Sequence, residues 1–506
     1  MTTKKAPFVL IVLDGWGYRE GKDHNAIAEA NTPVYDHLLK TYPHTFLHAS
    51  QEHVGLPQGT IGNSEIGHMT MGAGKVMDTD LVRVSKAMEN HDFYTNQAFV
   101  NLFDHVKKFN STLHIMGLVS PRGVHSHQEH LHGFLEAAKK VGLEKVVIHA
   151  FTDGRDAPPQ SAAEYLSELE KVISDLGIGY IATATGRYYS MDRDNNWDRT
   201  KKAEDAIFRA KGKAVRGQKP SETMKELYKE GIMDELLEPV IFLDDSGKAY
   251  KIEDNDGVFF FNFRNDRTRQ LSQKILEASK HKNLHFVTLT EYHPAFESSV
   301  AFPPNKIETT LGYEISRAGL NQAHIAETDK YAHVTYFFNG GRQEPYENEI
   351  DILVESRKDI KTHDQAPEMK AAEITQKAFE MLGKGVEFIL INYANADLVG
   401  HTANKPAVIT AVETLDTELE KIVEKVLSLG GSLIVTADHG NAEVNFDEKA
   451  GVLHTAHTTN LVPFILVREG NYKLKESGSL ADVAPTILQL MNLNKPKAMT
   501  GQSLIK

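Results

Sequence analysis

Short apolar runs recur along the chain, and longer amphipathic stretches separate them. Runs rich in Val, Ile, Leu and Phe predict β-strands, whereas apolar residues repeated every three or four positions predict helices. The predicted strands are Phe8–Leu13, Leu113–Leu118, Val146–Phe151, Tyr180–Thr183, Val258–Phe263, Phe286–Leu289, Phe388–Asn392, Ser432–Thr436 and Phe464–Val467. The predicted helical stretches are 131–142, 161–175, 267–279, 368–383 and 406–429. This alternation predicts an α/β fold with mostly parallel sheets covered by helices.

One stretch departs from this pattern. Residues 211–256 are charged and weakly periodic, and Pro220 and Pro239 interrupt them. We expect this stretch to form loops or a small helical excursion.

Three of the predicted strands end in carboxylate and imidazole residues. FVLIVLDGWG ends at Asp14, LINYANADLVGH at Asp397 and His401, and LIVTADHGNAE at Asp438 and His439. In an open α/β sheet, ligands bind at the carboxyl ends of the strands. We therefore expect these three strand ends to form one site.

The positions of these strand ends predict the domain organisation. A chain of 506 residues is too long for one ordinary domain. Because the site draws on both chain ends, we expect residues 1–79 and 306–506 to form one discontinuous domain. Residues 80–305 are then a second domain inserted into the first.

Composition excludes several classes of protein. The hydrophobic fraction of 41% and the charged fraction of 25% are typical of a soluble globular protein. No apolar run approaches the roughly 20 residues that cross a bilayer. The apolar run near the N-terminus stops at Asp14 without a small-residue cleavage site, which favours a strand over a signal peptide. We expect a cytoplasmic protein with no membrane partner.

Charge and cysteine content narrow the chemistry. The net charge of −13 excludes a global basic field, so no nucleic-acid partner is expected. A small anionic substrate would need a local basic pocket. The absence of cysteine excludes disulfides, thiolate nucleophiles and Cys-type zinc sites.

The candidate metal ligands outnumber those that a single ion requires. HTAHTTNLVP supplies His454 and His457, of which His454 is the weaker candidate and is left out. The set is Asp14, Asp397, His401, Asp438, His439 and His457. Three carboxylates and three imidazoles suit two divalent ions, which can clamp the oxygens of a phosphoryl transfer. Mn²⁺ is favoured, and Mg²⁺, Co²⁺ and Zn²⁺ are alternatives. Any one of these residues could be a helix cap or a surface residue, so the prediction rests on the joint pattern.

A glycine-dense segment, QGTIGNSEIGHMTMGAGK, supplies a candidate nucleophile. Glycines let backbone N–H groups approach an anion closely, and Ser64 beside a metal could accept a phosphoryl group. Alternatively, Ser64 is simply a helix N-cap. The two roles are compatible, because a helix N-terminus also stabilises phosphate.

Four loops in the middle of the chain carry basic residues. They are GVHSH, TDGRDAPP, GRYYSMDRD and FNFRNDRTR, and their candidate residues are His125, Arg155, Asp156, Arg187, Arg193, Arg264 and Arg267. Arginines in such loops can clamp carboxylate or phosphate, although any one of them could form a structural Arg–Asp pair. Lys330, in AETDKYAHVT, could add a further positive charge.

The ordered motifs resemble a known family from end to end. They are VLDGWG, GNSEIGH, GVHSH, DGRDxPP, GRYYxMDRD, FRxDR, ETxKYxHVTxFxNGG, NxDxVGH, TADHGNAE and HTxxxVP. This set closely resembles the cofactor-independent phosphoglycerate mutases of the alkaline phosphatase superfamily. The resemblance implies an alkaline-phosphatase-like phosphatase domain with an α/β transferase domain inserted. It implies interconversion of 3-phosphoglycerate and 2-phosphoglycerate without 2,3-bisphosphoglycerate, with two divalent ions, commonly Mn²⁺.

The resemblance also implies a role for each motif residue. One ion would be held by Asp397, His401 and His457, and the other by Asp14, Ser64, Asp438 and His439. Ser64 would become phosphoserine. The substrate would be bound by His125, Arg155, Asp156, Arg187, Arg193, Arg264, Arg267 and Lys330. Asp156 is the candidate for proton transfer to the substrate hydroxyl.

Two rival functions are weaker. A phosphopentomutase or a plain phosphatase would share the metal core but not the arginine-bearing loops. A non-catalytic binding protein would lack a ligand or the nucleophile, and none is missing. We expect the enzyme to act as a monomer.

Overall fold

The structure is a computed structural model that describes residues 6–506. The chain divides into two compact units. The first contains the chain up to Thr79 together with residues 306–506, and the second contains residues 80–305. Each unit has its own large sheet.

The strands are named in chain order. They are β1 (Phe8–Leu13), β2 (His44–His48), β3 (Leu113–Leu118), β4 (Val146–Thr152), β5 (Tyr180–Gly186), β6 (Lys213–Arg216), β7 (Val240–Leu243), β8 (Gly257–Phe260), β9 (His285–Thr290), β10 (Ser299–Phe302), β11 (Gln322–Glu327), β12 (Glu349–Val354), β13 (Phe388–Tyr393), β14 (Ser432–Thr436), β15 (Phe446–Asp447), β16 (Val452–Leu453), β17 (Val462–Val467) and β18 (Ser477–Ser479).

The helices follow the same convention. They are α1 (Ala26–Glu29), α2 (Pro33–Thr41), α3 (Ser64–Ala73), α4 (Asp80–Glu89), α5 (Gln97–Phe109), α6 (Gln128–Lys140), α7 (Ala162–Leu176), α8 (Arg187–Ser190), α9 (Trp197–Arg209), α10 (Pro220–Lys229), α11 (Arg269–Lys282), α12 (Leu311–Arg317), α13 (Thr328–Ala332), α14 (Ala371–Lys384), α15 (Asn395–Gly400), α16 (Lys405–Ser428) and α17 (Val483–Leu490). A π-helical turn, His333–Phe337, follows α13.

The sheet of the first unit has the strand order β12-β11-β13-β1-β14-β17-β2-β18 among the described residues. The five strands from β12 to β14 run parallel to one another, and β17 is antiparallel to both of its neighbours. Strands β1, β13 and β14 are buried along their whole length, as expected for central parallel strands covered on both faces. The carboxyl ends of these three strands therefore lie side by side.

The second unit has a sheet of order β10-β9-β8-β3-β4-β5-β7-β6 within the described chain. Its strands are parallel except at the β5–β7 pair. The expectation for residues 211–256 was incomplete, because this stretch contributes β6 and β7 as well as α10. Strand β6 is short and mostly exposed at the sheet edge, so it lacks the apolar run that predicts a strand.

The predicted α/β class is confirmed, and the predicted strands and helices form with small shifts of their ends. The strand ends differ by up to three residues: Val258–Phe263 ends at Phe260 as β8, and Tyr180–Thr183 continues to Gly186 as β5. Beyond β8, Phe261 N still donates to Met116 O at 3.0 Å, and Leu118 N then donates to the side-chain Oδ1 of Asn262 at 2.9 Å. No helix in residues 6–506 is both long and apolar enough to span a bilayer.

Candidate active site

Strand register in the first unit brings three predicted carboxylates to one edge. In the parallel ladders Leu13 pairs with Tyr393, and Val12 pairs with Thr436. Asp14 directly follows β1, Asp397 lies in the first turn of α15 just after β13, and Asp438 follows β14 by two residues. All three side chains are buried. The prediction that these strand ends meet describes the structure correctly.

Two glycines allow the site elements to pack this closely. Gly15 has φ +76°, and a Cβ there would lie 2.6 Å from Cα of Asp397. Gly67 lies on α3, where a Cβ would lie 2.8 Å from the carbonyl oxygen of Asp438. A larger residue at either position would push the ligand-bearing segments apart.

One cluster consists of Asp397, His401 and His457. The Nε2 atoms of the two histidines are 3.1 Å apart, and Asp397 Oδ1 lies 3.2 Å from His401 Nε2 and 3.1 Å from His457 Nε2. The opposite ring nitrogens are within hydrogen-bond distance of backbone carbonyls: His401 Nδ1 is 2.7 Å from Thr455 O, and His457 Nδ1 is 2.8 Å from Gly62 O.

These carbonyls identify the proton positions. A carbonyl only accepts, so each Nδ1 carries a proton, and each ring in its neutral form would direct an Nε2 lone pair inward. Two imidazole nitrogens and a carboxylate oxygen thus converge on one point. A divalent cation satisfies this arrangement, and the backbone contacts hold the rings in the ligand tautomer.

A second cluster consists of Asp14, Ser64, Asp438 and His439. His439 Nε2 lies 3.5 Å from Asp14 Oδ1 and 3.7 Å from Asp438 Oδ2. Ser64 Oγ is 2.9 Å from the same ring nitrogen and 3.3 Å from Asp14 Oδ1. Ligand atoms of Asp14, Asp438 and His439 all lie within 4.8 Å of one another, and so do those of Asp397, His439 and His457. The residues present therefore fit divalent metal binding.

Ser64 is the first residue of α3 rather than its N-cap. The cap is Asn63, whose side-chain oxygen accepts a hydrogen bond from Ile66 N at 3.0 Å. This frees the Ser64 hydroxyl to face the carboxylates. The structural alternative, a capping serine, is wrong for this position.

Lys330 lies between the two clusters. It belongs to α13, directly after β11, and its Nζ donates to Asp14 Oδ1, Ser64 Oγ and Asp397 Oδ2, each at 2.7 Å. Burial by itself would lower the pKa of Lys330, but the Asp14 and Asp397 carboxylates raise it above its usual value. The ammonium is therefore charged and in contact with the candidate nucleophile.

Two supporting residues were missed in the sequence analysis. Asn392, the polar residue near the end of β13, donates from Nδ2 to Asp14 Oδ2 at 2.8 Å. His68, one helical turn after Ser64, has its Nδ1 3.2 Å from Asp438 Oδ2. A polar residue inside an otherwise apolar strand was the available signal for Asn392. For His68, the only signal in the sequence was its position four residues after Ser64.

In the second unit, Arg187 anchors a polar cluster. This buried guanidinium donates from Nη1 to Asp153 Oδ1 at 2.7 Å and to Asp156 Oδ2 at 2.5 Å. His125 Nε2 lies 3.8 Å from Asp156 Oδ2. Burial first and then the Arg187 charge lower the pKa of His125 to about 4, so its ring is neutral at pH 7.

The other predicted arginines lie around the same cluster. Arg155, Arg187 and Arg267 line a common small cavity of about 60 Å³. Burial, followed by repulsion from Arg193 and Arg155, lowers the pKa of Arg267. Cations crowded in this way favour an anion among them.

The partners of these arginines differ from the local Arg–Asp pairs considered above. Arg155 Nε donates to Glu235 Oε1 at 2.8 Å, across 80 residues of chain. Arg193 Nη1 donates to Asp266 Oδ2 at 2.9 Å, and Arg264 Nε lies 3.1 Å from Asp266 Oδ1. Only Arg264 pairs with an acid close in sequence.

These features define a metal-dependent enzyme with an alkaline-phosphatase-like domain. The family of type I phosphodiesterases and nucleotide pyrophosphatases matches residues 276–498, and the N-terminal family of BPG-independent phosphoglycerate mutases matches residues 84–294. The proteins named 2,3-bisphosphoglycerate-independent phosphoglycerate mutase from Clostridium botulinum (strain ATCC 19397 / Type A) and Thiobacillus denitrificans are 46% and 44% identical to this chain. The matches cover 99% of this chain, with 100% and 99% of the respective relatives.

A solved structure agrees with these relatives. The phosphoglycerate mutase of Leishmania mexicana, crystallised at low cobalt concentration, is 30% identical with a TM-score of 0.56. The match covers 99% of this chain and 98% of that one. The chain belongs to the family of 2,3-bisphosphoglycerate-independent phosphoglycerate mutases.

Proposed function

We propose that this enzyme interconverts 3-phosphoglycerate and 2-phosphoglycerate through a phosphoserine at Ser64, without 2,3-bisphosphoglycerate. The main observation that supports this proposal is the 2.7 Å contact between the Ser64 hydroxyl and the Lys330 ammonium, beside two clusters of metal-type ligands. The full-length family relatives support the substrate.

Two divalent ions, with Mn²⁺ the expected metal, complete the proposed site. One would be held by Asp397, His401 and His457, and the other by Asp14, Ser64, Asp438 and His439. Bound there, the ions would supply the positive charge that a phosphoryl group requires during transfer. His439 lies near both clusters, so its position does not decide which of the two ions it would bind.

The protein residues have distinct tasks in this reaction. Ser64 Oγ forms the new P–O bond as the bond to the substrate oxygen breaks, and the hydroxyl proton of Ser64 passes to Asp14 Oδ1, which lies 3.3 Å from Oγ. Lys330 donates to the transferring oxygens, as it donates to Ser64 in the structure. The released hydroxyl of glycerate takes up a proton, for which Asp156 is the proposed donor.

The basic residues of the second unit would hold the glycerate between the two transfers. They are His125, Arg155, Arg187, Arg193, Arg264 and Arg267. Arg187 is already fixed by two carboxylates, so it presents a rigid donor group. The second hydroxyl then attacks phosphoserine in the reverse sense, which restores Ser64. That residues 80–305 form a transferase domain stays a prediction. That the enzyme is a cytoplasmic monomer acting in glycolysis and gluconeogenesis also stays a prediction.

The test is mutase activity on 3-phosphoglycerate after EDTA treatment and Mn²⁺ addition, with 2,3-bisphosphoglycerate absent. Wild type should produce 2-phosphoglycerate, and Ser64→Ala should not. Ser428→Ala, which removes a hydroxyl at the end of α16, serves as the matched control. Mass spectrometry of the acid-quenched enzyme should find phosphate on the Ser64 peptide. Activity that survives Ser64→Ala would remove Ser64 as the nucleophile, and release of free phosphate alone would indicate a phosphatase.

A further inference from the structure

A second group of metal-type side chains lies at the edge of the first unit's sheet, outside the ligand set described above. His324 on β11 is the register partner of Asp351 on β12, and Glu349 lies two residues earlier on β12. Alternate residues of a strand share a face, so the three side chains project on the same side of this strand pair. The side chains of His324 and Glu349 are fully buried, and that of Asp351 is 15% exposed.

The spacing of their polar atoms is that of ligands around an ion. His324 Nδ1 lies 3.4 Å from Glu349 Oε1 and 3.9 Å from Asp351 Oδ1, and the three ligand atoms lie within 4.8 Å of one another. A tetrahedral ion with bonds of about 2.1 Å separates its ligand atoms by about 3.4 Å. Hydrogen bonds to an imidazole nitrogen are shorter, about 2.7–3.2 Å. The three ligand atoms are therefore farther apart than hydrogen-bonded atoms, and their separations are those expected around a bound cation.

The same atoms lack other partners. Within residues 6–506, His324 Nδ1 and Asp351 Oδ1 have no hydrogen bond, although both are inaccessible to solvent. Two neighbouring amide oxygens, Gln322 Oε1 and Asn339 Oδ1, are also buried without a partner. An unsatisfied buried polar atom costs about 1–3 kcal/mol, and an ion bound to both His324 Nδ1 and Asp351 Oδ1 would remove this cost at both atoms.

Glu349 is held in position for such a role. Its Oε1 accepts a hydrogen bond from Asn339 Nδ2 at 2.6 Å, and its Oε2 accepts one from Tyr346 N at 3.2 Å. A carboxylate oxygen has two lone pairs, so Oε1 keeps one for an ion. Fixed carboxylates of this kind are typical of metal sites, where outer hydrogen bonds orient the ligands.

The protonation states agree with the geometry. Burial lowers the pKa of His324 to about 4, so the ring is neutral at pH 7 and has a lone pair to offer. Burial, together with the Glu349 carboxylate, raises the pKa of Asp351 to about 6 even though His324 opposes this shift. A cation bound between the buried carboxyl groups of Glu349 and Asp351 would stabilise their charged forms.

We propose that His324, Glu349 and Asp351 bind a structural divalent metal ion that joins edge strand β12 to β11. One imidazole nitrogen and two carboxylate oxygens suit Zn²⁺ with a fourth position for water. The partly exposed Asp351 gives the ion its route from solvent. Strand β11 leads directly into α13, which carries Lys330, so the ion would also fix the strand that precedes this helix.

The test counts metal ions in the full chain. Wild type and Asp351→Asn are equilibrated with excess ZnCl₂, gel-filtered and analysed by inductively coupled plasma mass spectrometry. Glu355→Gln removes a nearby exposed carboxylate, which pairs with Lys358 at 3.1 Å, and is the control. We expect Asp351→Asn to hold one Zn²⁺ fewer per chain than wild type and the control. Equal counts in all three proteins would overturn the proposal.

A second measurement distinguishes a bound metal ion from a proton shared by Asp351 and Glu349. Zn²⁺ added to protein already saturated with Mn²⁺ should raise the melting temperature of wild type and of Glu355→Gln, but not that of Asp351→Asn. His324→Gln should lose the same increase. If Asp351 and Glu349 merely share a proton, the substitution will change the pH dependence of melting and leave the zinc count unchanged, which refutes the site. Because the comparison is a difference between variants, it does not depend on how many ions the active site holds.

Discussion

Replacing Lys330 by methionine tests whether this residue organises the active site before any metal binds. The ammonium contacts Asp14, Ser64 and Asp397 at 2.7 Å and is only 4% exposed. Methionine keeps much of the side-chain volume and removes the charge and all three donors. Two buried carboxylates then lose their common cation.

The expected magnitude follows from these contacts. Removing one partner of a buried ion pair costs about 3–5 kcal/mol, because the remaining charge is left uncompensated. The two pairs share one lysine, so their effects do not add. We expect metal-free Lys330→Met to lose about 3–5 kcal/mol of unfolding free energy in the first unit. Saturating Mn²⁺ should recover part of this loss, since the ions supply positive charge to the same carboxylates. The rate constant kcat should fall about 100- to 1,000-fold even with Mn²⁺, as for the loss of one transition-state donor.

Urea unfolding followed by tryptophan fluorescence measures the stability. The chain has two tryptophans, so a Trp197→Phe background leaves buried Trp16 to report on the first unit. Lys405→Met is the matched control: its Nζ pairs with Glu29 Oε2 at 2.8 Å on the surface, and we expect a loss below about 1 kcal/mol. A metal-free Lys330→Met protein within about 1 kcal/mol of wild type would refute the reasoning.

Three further predictions concern other parts of the molecule. Arg187 contacts Asp153 and Asp156 through one nitrogen, Nη1, and keeps further N–H donors for the substrate that a lysine lacks. Steady-state kinetics of Arg187→Lys should therefore show kcat/KM about 10- to 100-fold lower, and an unchanged value would contradict the binding role. Burial, with His127 adding to it, lowers the pKa of His130 to about 3. The unfolded chain therefore binds this proton first as pH falls below about 6.5, so His130 should contribute about 2 kcal/mol to the loss of stability of the second unit between pH 7.5 and pH 5. Urea titrations should show that this loss is smaller by about that amount in His130→Gln. EDTA should abolish turnover and Mn²⁺ restore it, with bound metal measured in parallel; activity without bound metal would contradict the ligand set.

The sequence was sufficient to predict those parts of the site that follow from apolar runs and from the parallel arrangement of the strands. Asp14, Asp397 and Asp438 each follow an apolar run, and parallel strands bring their carboxyl ends to one edge. That reasoning needs no side-chain geometry, and the observed register of β1 with β13 and β14 agrees with it. The α/β class followed from the same alternation.

Other features could not be predicted because they depend on exposure and on contacts between distant residues. Strands β6 and β12 lie at sheet edges and mix charged with apolar residues, so neither shows an apolar run. The partner of Arg155 is Glu235, and no local pattern connects the two. Lys330 was recognised as a cation, but its contact with three different segments required the folded chain.

Contacts between protein groups set the position of Ser64. Asn63 caps α3 and orients its first turn, and Gly67 lets the same helix approach Asp438. Lys330 then holds the hydroxyl against Asp14. These contacts involve only protein atoms, so the fold itself holds the Ser64 hydroxyl in this position. In the proposed reaction, the ions would add positive charge where charge develops during phosphoryl transfer.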